Sequence, residues 1–361
     1  MNNFVNIKTS LGSFNLDIKL EIVNGINCLF GPSGSGKTSI INCIAGLIKP
    51  KFAKIEINGK ILNNTKEKFF CPIHKRNIGY VFQDARLFPH LKVINNLTYG
   101  EIFSKNRENK FNKNDIIELL NLKKLLSRYP YNLSGGEKQR VAIGRALLSQ
   151  PKLIIMDEPL ASLDQKKKNE LLNYIVKIFD TFKIPIIYVS HSSTETFLIG
   201  HKINFLSKGQ IVFQGNKNQA YNYFNKEYTE NLADNFLRGK VLKVNNNDNI
   251  TEISLGKQKL LIFTNNFKKG EVVLLRIKAT DLIICKTFPK NVSSLNYLLL
   301  KISNIIVNKS LVTVCFSFKS GLFKAHITKM SLNRLKLKKG DSCYVLIKAI
   351  NINDVMSYSL I

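Results

Sequence analysis

Residues 26–38 read INCLFGPSGSGKT. A short apolar run ends at Gly31, and beyond Thr38 the apolar positions Ile40, Ile41, Ile44 and Leu47 recur at helical spacing, so the segment spells strand, loop, helix. Glycines in such a loop let consecutive backbone N–H groups curl around phosphate oxygens, and the positive end of the following helix faces the same anion. In the pattern GxxxxGK[ST] the lysine reaches the β- and γ-phosphates and the hydroxyl ligates Mg²⁺. Gly31, Pro32, Ser33, Gly34, Ser35, Gly36, Lys37 and Thr38 are therefore the candidate phosphate cradle, with Lys37 also a candidate catalytic cation and Thr38 a metal ligand.

A second apolar run, LIIM at 153–156, stops at Asp157 and Glu158. Continuous apolar character suits a parallel strand buried on both faces, and carboxylates at its C-terminal end point into the ligand crevice of an α/β sheet. An acidic pair after a strand also suits a simple turn cap. Beside a phosphate cradle the chemical reading gains weight: Asp157 holds Mg²⁺ through water, and Glu158 polarises an attacking water as general base. ATP and Mg²⁺ are the implied substrate and cofactor.

Between these segments lies LSGGEKQRVAIGRALL, residues 133–148, in which a serine and two glycines precede a helix carrying Val141, Ile143, Ala146 and Leu147. Gln83 follows the strand-like IGYVF at 78–82, ASLD occupies 161–164, and His191 ends the run IPIIYVS at 184–190. This ordered set resembles the ATP-binding cassette (ABC) ATPases. The resemblance implies an α/β P-loop NTPase fold, the ABC cassette, with a helical subdomain at about residues 95–150. It implies that His191 steadies the γ-phosphate and attacking water, and that Gln83 senses Mg²⁺ and nucleotide as catalytic and metal-site residue. Ser134, Gly135 and Gly136 form a second anion cradle at a helix N-terminus. In the family that cradle serves the partner's nucleotide, so the resemblance implies a head-to-tail homodimer with Asp164 joining the two sites. The family's usual aromatic platform for adenine falls where this chain has Ser10, Leu11 and Gly12, leaving Phe14 or Phe4 as substitutes.

After Gln83 comes DARLFPHLKVINNLTYG, residues 84–100, in which Phe88 reads either as a core aromatic or as part of a surface facing a membrane permease. VFQDARLFPHLKV and the 133–148 segment are similar to the ATP-binding subunits of bacterial molybdate importers, the ModC type. That resemblance implies an ATPase coupling hydrolysis to molybdate translocation. Its partners are two integral-membrane permease subunits and, indirectly, an external solute-binding protein, and its place is the cytoplasmic face of the bacterial inner membrane as a peripheral subunit. Sulfate, iron or polyamine import is the alternative within the same class.

From about residue 235 the chain changes to short alternating runs, KVLKV, ITEISL, KLLIFT and VVLLRIKA, separated by Asn, Gly and Lys turns. The expected division is 1–234 for the cassette and 235–361 for a β-rich accessory region. Within the latter, residues at about 293–355 resemble a small all-β, OB-like molybdate-binding (Mop/TOBE) module. Such modules hold tetrahedral oxyanions through amides and hydroxyls, which makes Ser294, Lys324, Ser331 and Lys348 candidate oxyanion contacts; a barrel that merely pairs subunits is the other reading. Related modules carry an Arg-Asn pair where this chain reads SSLNYLL, which implies a weakened anion site on an intact fold.

Composition fits this division. With 361 residues, 44% hydrophobic and 22% charged, the chain suits two globular domains and excludes a disordered or collagen-like class. No run reaches the roughly 18 apolar residues of a membrane-spanning helix. Six dispersed cysteines without a CxxC pair read as reduced structural thiols. The formal charge of +29 raises a nucleic-acid-associated ABC ATPase as a different class, but the lysines are spread along the chain rather than gathered into one face, and no nucleic-acid partner is expected.

Overall fold

The computed structural model describes residues 3–102, 110–217, 219–220, 223–224, 234–256, 258–308, 311–318, 321–352 and 354–357. The chain packs as two units, residues 1–220 and 221–361. The boundary expected at 234/235 falls at the start of the first strand of the second unit; residues 225–233 lie outside the described residues.

The first unit opens with β1 (Phe4–Leu11) and β2 (Phe14–Glu21), where Val5, Ile7 and Thr9 and then Leu16, Ile18 and Leu20 point inward at alternate positions. This period of two makes a half-buried antiparallel pair. β4 (Phe52–Ile57), β5 (Lys60–Asn64) and β6 (Phe69–Phe70) extend it in the order β2-β1-β4-β5-β6. The second sheet runs β11-β10-β3-β9-β8-β7, built from β3 (Ile26–Phe30), β7 (Ile78–Val81), β8 (Leu153–Asp157), β9 (Ile186–Ser190), β10 (Lys202–Ser207) and β11 (Gln210–Asn216). Its strands pair in parallel from β10 to β7, and β11 closes the edge antiparallel. β3 and β9 are buried along their whole length, as strands covered on both faces must be.

The helices carry legible end signals. α1 (Lys37–Ala45) begins at Gly36 and stops at Gly46, which takes φ +85° and returns its N–H to the Asn42 and Cys43 carbonyls. α2 (Val93–Ile102), α3 (Lys113–Leu119) and α4 (Gly135–Leu148) supply the expected helical subdomain, with α2 and α3 both packed on α4. α4 starts with a capping box: Glu137 N–H donates to Ser134 Oγ, and Ser134 N–H donates to Glu137 Oε2. α5 (Gln165–Phe182) is capped by Asp164, and α6 (Ser193–Ile199) by Ser192.

The second unit consists of two five-stranded antiparallel sheets. One is ordered β14-β13-β12-β15-β21, from β12 (Asp234–Asn245), β13 (Ile250–Ser254), β14 (Lys259–Phe263), β15 (Val272–Lys278) and β21 (Asp354–Ser357). The other is β16-β20-β17-β18-β19, from β16 (Ile283–Cys285), β17 (Asn296–Asn308), β18 (Leu311–Phe318), β19 (Gly321–Thr328) and β20 (Ser342–Ile347), with α7 (Lys329–Leu335) after β19. One apolar core joins Leu237, Ile253 and Leu275 to Leu298, Phe316, Val345 and Ile352, so residues before and after 293 share a single interior. The last strand, β21, returns to pair with β15, Val273 opposite Ser357. All six cysteines are free thiols, five of them buried.

Candidate nucleotide site

Parallel register places the key segments side by side. β3 ends at the glycine loop, β8 at Asp157 and Glu158, β9 at His191 and β7 just before Gln83, and Phe30 lies opposite Ser190 while Asp157 lies opposite Val189. The C-terminal ends of adjacent parallel strands thus deliver the cradle, the carboxylates, the histidine and the glutamine to one edge of the sheet.

Within the cradle, Gly36 holds φ +101°, a left-handed conformation that a Cβ would make costly, and a Cβ there would also press on Phe14 and Leu16. The Lys37 ammonium donates to the Gly31 and Pro32 carbonyls at 2.8 and 2.9 Å. Burial pulls the Lys37 pKa below the usual lysine value, while the charges of Glu158 and Asp157 oppose that shift. Ser35 Oγ is buried and has no hydrogen-bond partner among the described residues. Ser33 and Gly34 are exposed on the loop rim.

Thr38 Oγ1 lies 3.3 Å from Asp157 Oδ1, and the Tyr80 hydroxyl lies 3.4 Å from Asp157 Oδ2 and 2.9 Å from Asn42 Oδ1. Burial raises the Asp157 carboxyl above its ordinary range, against the bonds from Thr38 and Tyr80. A hydroxyl beside a carboxylate at the cradle is a donor set suited to a hard oxygen-seeking cation such as Mg²⁺. Next in sequence, Glu158 sits at φ +44° with its N–H on the Val189 carbonyl, and its Oε2 lies 3.0 Å from His191 Nδ1.

Gln83 is exposed, and its main chain is gripped from α4: Gln139 Nε2 donates to the Phe82 and Gln83 carbonyls at 3.2 and 2.6 Å. Arg145 holds the Ala85 and Arg86 carbonyls, and the buried Asn96 side chain brackets Phe88 and Leu91. Phe88 is half-buried against Tyr99, with the Arg145 guanidinium over its ring.

The remaining predicted residues form a second group. Ser134, Gly135 and Gly136 begin α4, and a Cβ on Gly135 or Gly136 would meet Leu163 or Lys167, neighbours of Asp164. Asp164 accepts from Lys167 N–H at 3.0 Å and pairs with the Lys167 ammonium at 2.7 Å, contacts that hold its carboxyl below the usual carboxylate range. One chain thus carries the glycine-loop group and the signature group as distinct clusters.

A family profile described as ABC transporter matches residues 16–161. The Aliivibrio fischeri molybdenum import ATP-binding protein ModC is 38% identical, the alignment covering 96% of this chain and 97% of that protein. The chain belongs to the ModC family of ABC-transporter ATPases. The ModC of Mesorhizobium japonicum is 39% identical over 97% of this chain and 95% of its own. Among solved structures, the ATP-binding cassette MJ1267 overlays with TM-score 0.55 at 25% identity, covering 63% of this chain and 97% of that one. The cassette MJ0796, in a dimeric post-hydrolysis state bound to ADP and Pi, gives TM-score 0.50 at 25% identity over 60% of this chain and 99% of its own. As a ModC-family ATPase the chain uses ATP with Mg²⁺, which the buried Lys37 ammonium, the unpartnered Ser35 hydroxyl and the Thr38–Asp157 pair fit.

Sequence reading missed Gln139 and Tyr80. Gln139 carried a signal: it stands four residues before Ile143 on the helical face that otherwise reads as apolar. Of the two aromatics left open for the base, Phe14 lies against Gly36 of the cradle. Phe4 instead lines a cleft with Asn77 and Pro151, at the opposite, N-terminal ends of the parallel strands.

Proposed function

We propose that this chain is the ATP-hydrolysing subunit of a molybdate importer, acting as a homodimer on two permease subunits at the cytoplasmic face of the membrane, with an external solute-binding protein as indirect partner. The observation that carries the reading is the end-to-end similarity to molybdenum import ATP-binding proteins, which includes the β-rich second unit as well as the cassette. Among the described residues no helix is long and apolar enough to cross a membrane, in keeping with a peripheral subunit.

The residues then take these roles. The cradle amides and Lys37 bind the β- and γ-phosphates, and Phe14 stacks on the base. Thr38, Asp157 and Gln83 hold Mg²⁺, which when bound screens the charge of the phosphate oxygens. Glu158 takes a proton from the attacking water, and His191, whose Nδ1 lies 3.0 Å from Glu158 Oε2, steadies the γ-phosphate and that water. Ser134, Gly135 and Gly136 of one protomer close over the nucleotide of its partner, and Asp164 links the two sites. A binding site completed from two chains explains why a single chain carries one copy of each cluster.

In the second unit Ser294, Lys324, Ser331 and Lys348 are the candidate oxyanion contacts. Ser294 Oγ donates to the Asn296 and Ile347 carbonyls next to Lys348, Ser331 packs with its own helix cap Thr328, and Lys324 is buried in the middle of β19 with its pKa lowered by burial. Asn296 of the SSLNYLL stretch is a staple: its side chain accepts from Leu261 N–H and donates to the Leu261 carbonyl. Equilibrium dialysis of the full chain against molybdate tests anion binding there.

The deciding experiment is reconstitution with a partner permease and ATP-dependent uptake of molybdate against tungstate and sulfate. Uptake of molybdate and tungstate with no sulfate uptake supports the reading; preferential sulfate uptake refutes it.

A further inference from the structure

His191 is flanked by a polar network that none of the roles above uses. Glu195, on α6, is buried, and its Oε2 accepts from the Tyr188 hydroxyl at 2.8 Å and from Ser190 Oγ at 2.6 Å. Ser190 Oγ in turn accepts from Ser192 N–H at 3.0 Å, and Ser192 Oγ accepts from Glu195 N–H at 3.3 Å. The residues on both sides of His191 are thereby tied to one carboxylate. Its other oxygen, Oε1, faces the Lys168 ammonium at 3.8 Å, on the helix capped by Asp164.

Burying a carboxylate is unfavourable unless donors surround it, and apolar neighbours such as Phe197 and Ile199 already seat α6 on the sheet. A charged group here therefore does more than fill space: it sets the path of residues 190–192. Burial and the nearby Glu195 charge push the Tyr188 hydroxyl pKa well above its ordinary value, so that hydroxyl stays a donor across the working pH range.

We propose that Glu195 is a positioning residue for hydrolysis, fixing the Ser190–Ser192 turn so that His191 meets Glu158 and tying that turn through Lys168 to the helix that Asp164 caps. This rests on the reading that His191 and Glu158 act in ATP hydrolysis.

The test is steady-state hydrolysis by the full-length chain, comparing Glu195→Leu, Glu195→Gln, Ser190→Ala and His191→Ala with the doubles Glu195→Leu/His191→Ala and Ser190→Ala/His191→Ala. Glu195→Leu lowers kcat about tenfold or more while KM for ATP stays within about twofold, and Glu195→Gln, which keeps an acceptor oxygen, recovers most of the loss. In the His191→Ala background the Glu195→Leu change adds less than about twofold, because both act through the same imidazole. A wild-type kcat in Glu195→Leu, or a loss that multiplies in full with His191→Ala, overturns the proposal. If Glu195→Leu does not fold, Ser190→Ala carries the same comparison: a lowered kcat that does not multiply with His191→Ala supports the proposal, and an unchanged or fully multiplying one overturns it. Wild-type hydrolysis by His191→Ala itself sinks the underlying site reading, whereas impaired His191→Ala with unaffected Glu195 and Ser190 variants sinks this inference alone.

Discussion

His191 Nδ1 lies 3.0 Å from Glu158 Oε2, joining the ends of β9 and β8 by a side-chain contact where the main chain already pairs. Glu158 reaches that position with φ +44°, an uncommon conformation for a residue with a Cβ. Backbone held in a sparsely populated region at a cluster of reactive groups is characteristic of sites where geometry matters more than local comfort.

Replacing Glu158 by Gln keeps the shape and removes the base. Multiple-turnover hydrolysis falls by a factor of about 10²–10⁴ while ATP binding is retained, and an ATP-bound dimer accumulates. Phosphate release and size-exclusion chromatography with ATP measure the two effects; undiminished turnover would remove Glu158 from the reaction.

Lys37→Ala deletes the ammonium that bridges the loop carbonyls and is placed for the phosphates. Affinity for ATP drops by roughly 30-fold to 1,000-fold, the range for truncating a desolvated charged contact. Titration calorimetry checks this, and wild-type affinity would contradict the cradle.

Ser134→Arg puts a bulky cation at the start of α4 and blocks closure over the partner's nucleotide. Mixed with Lys37→Ala protein, it rebuilds one intact composite site, so a mixture shows hydrolysis that neither variant shows alone. No recovery at any ratio or concentration speaks against sites shared between two chains.

Stability responds to pH through His201. Ile26 N–H donates to His201 Nδ1 at 3.1 Å, so the ring is held neutral, and burial, reinforced by the Lys217 charge, lowers its pKa from the ordinary value of 6.5. The unfolded chain therefore takes up the proton first on acidification: the contribution is intact above about pH 6.5 and is lost as pH falls from there through the depressed folded value. Urea midpoints for the first unit between pH 7.5 and 5 should show this slope, and His201→Gln, an uncharged acceptor, flattens it. An unchanged slope in the variant would place the acid sensitivity elsewhere.

Much of the site was legible because its chemistry is local in sequence. INCLF and LIIM announce buried parallel strands by unbroken apolar character, and the glycine loop and the signature carry their function in adjacent residues. What escaped reading depends on approaches between distant segments. Gln139 matters because α4 passes under the Gln83 turn, Tyr80 because it reaches from β7 to Asp157 at the end of β8, and Phe14 because Gly36 has no side chain to keep it away. Arg76 is another case: its guanidinium stacks on Phe70 and donates to the Cys43, Ile44 and Cys71 carbonyls, contacts spanning more than thirty positions in the case of Cys43. Spacing rules see neighbours along the chain, and these partners become neighbours only once the sheets have formed.

Because β21 lies hydrogen-bonded against β15, residues 354–357 form an edge of the first sheet of their own unit. Removing β21 would leave β15 with a bare edge, so a lost activity in such a truncation would report damage to the sheet rather than a lost task in transport. Swapping the whole second unit for a homologous one is the cleaner way to ask what it contributes to transport.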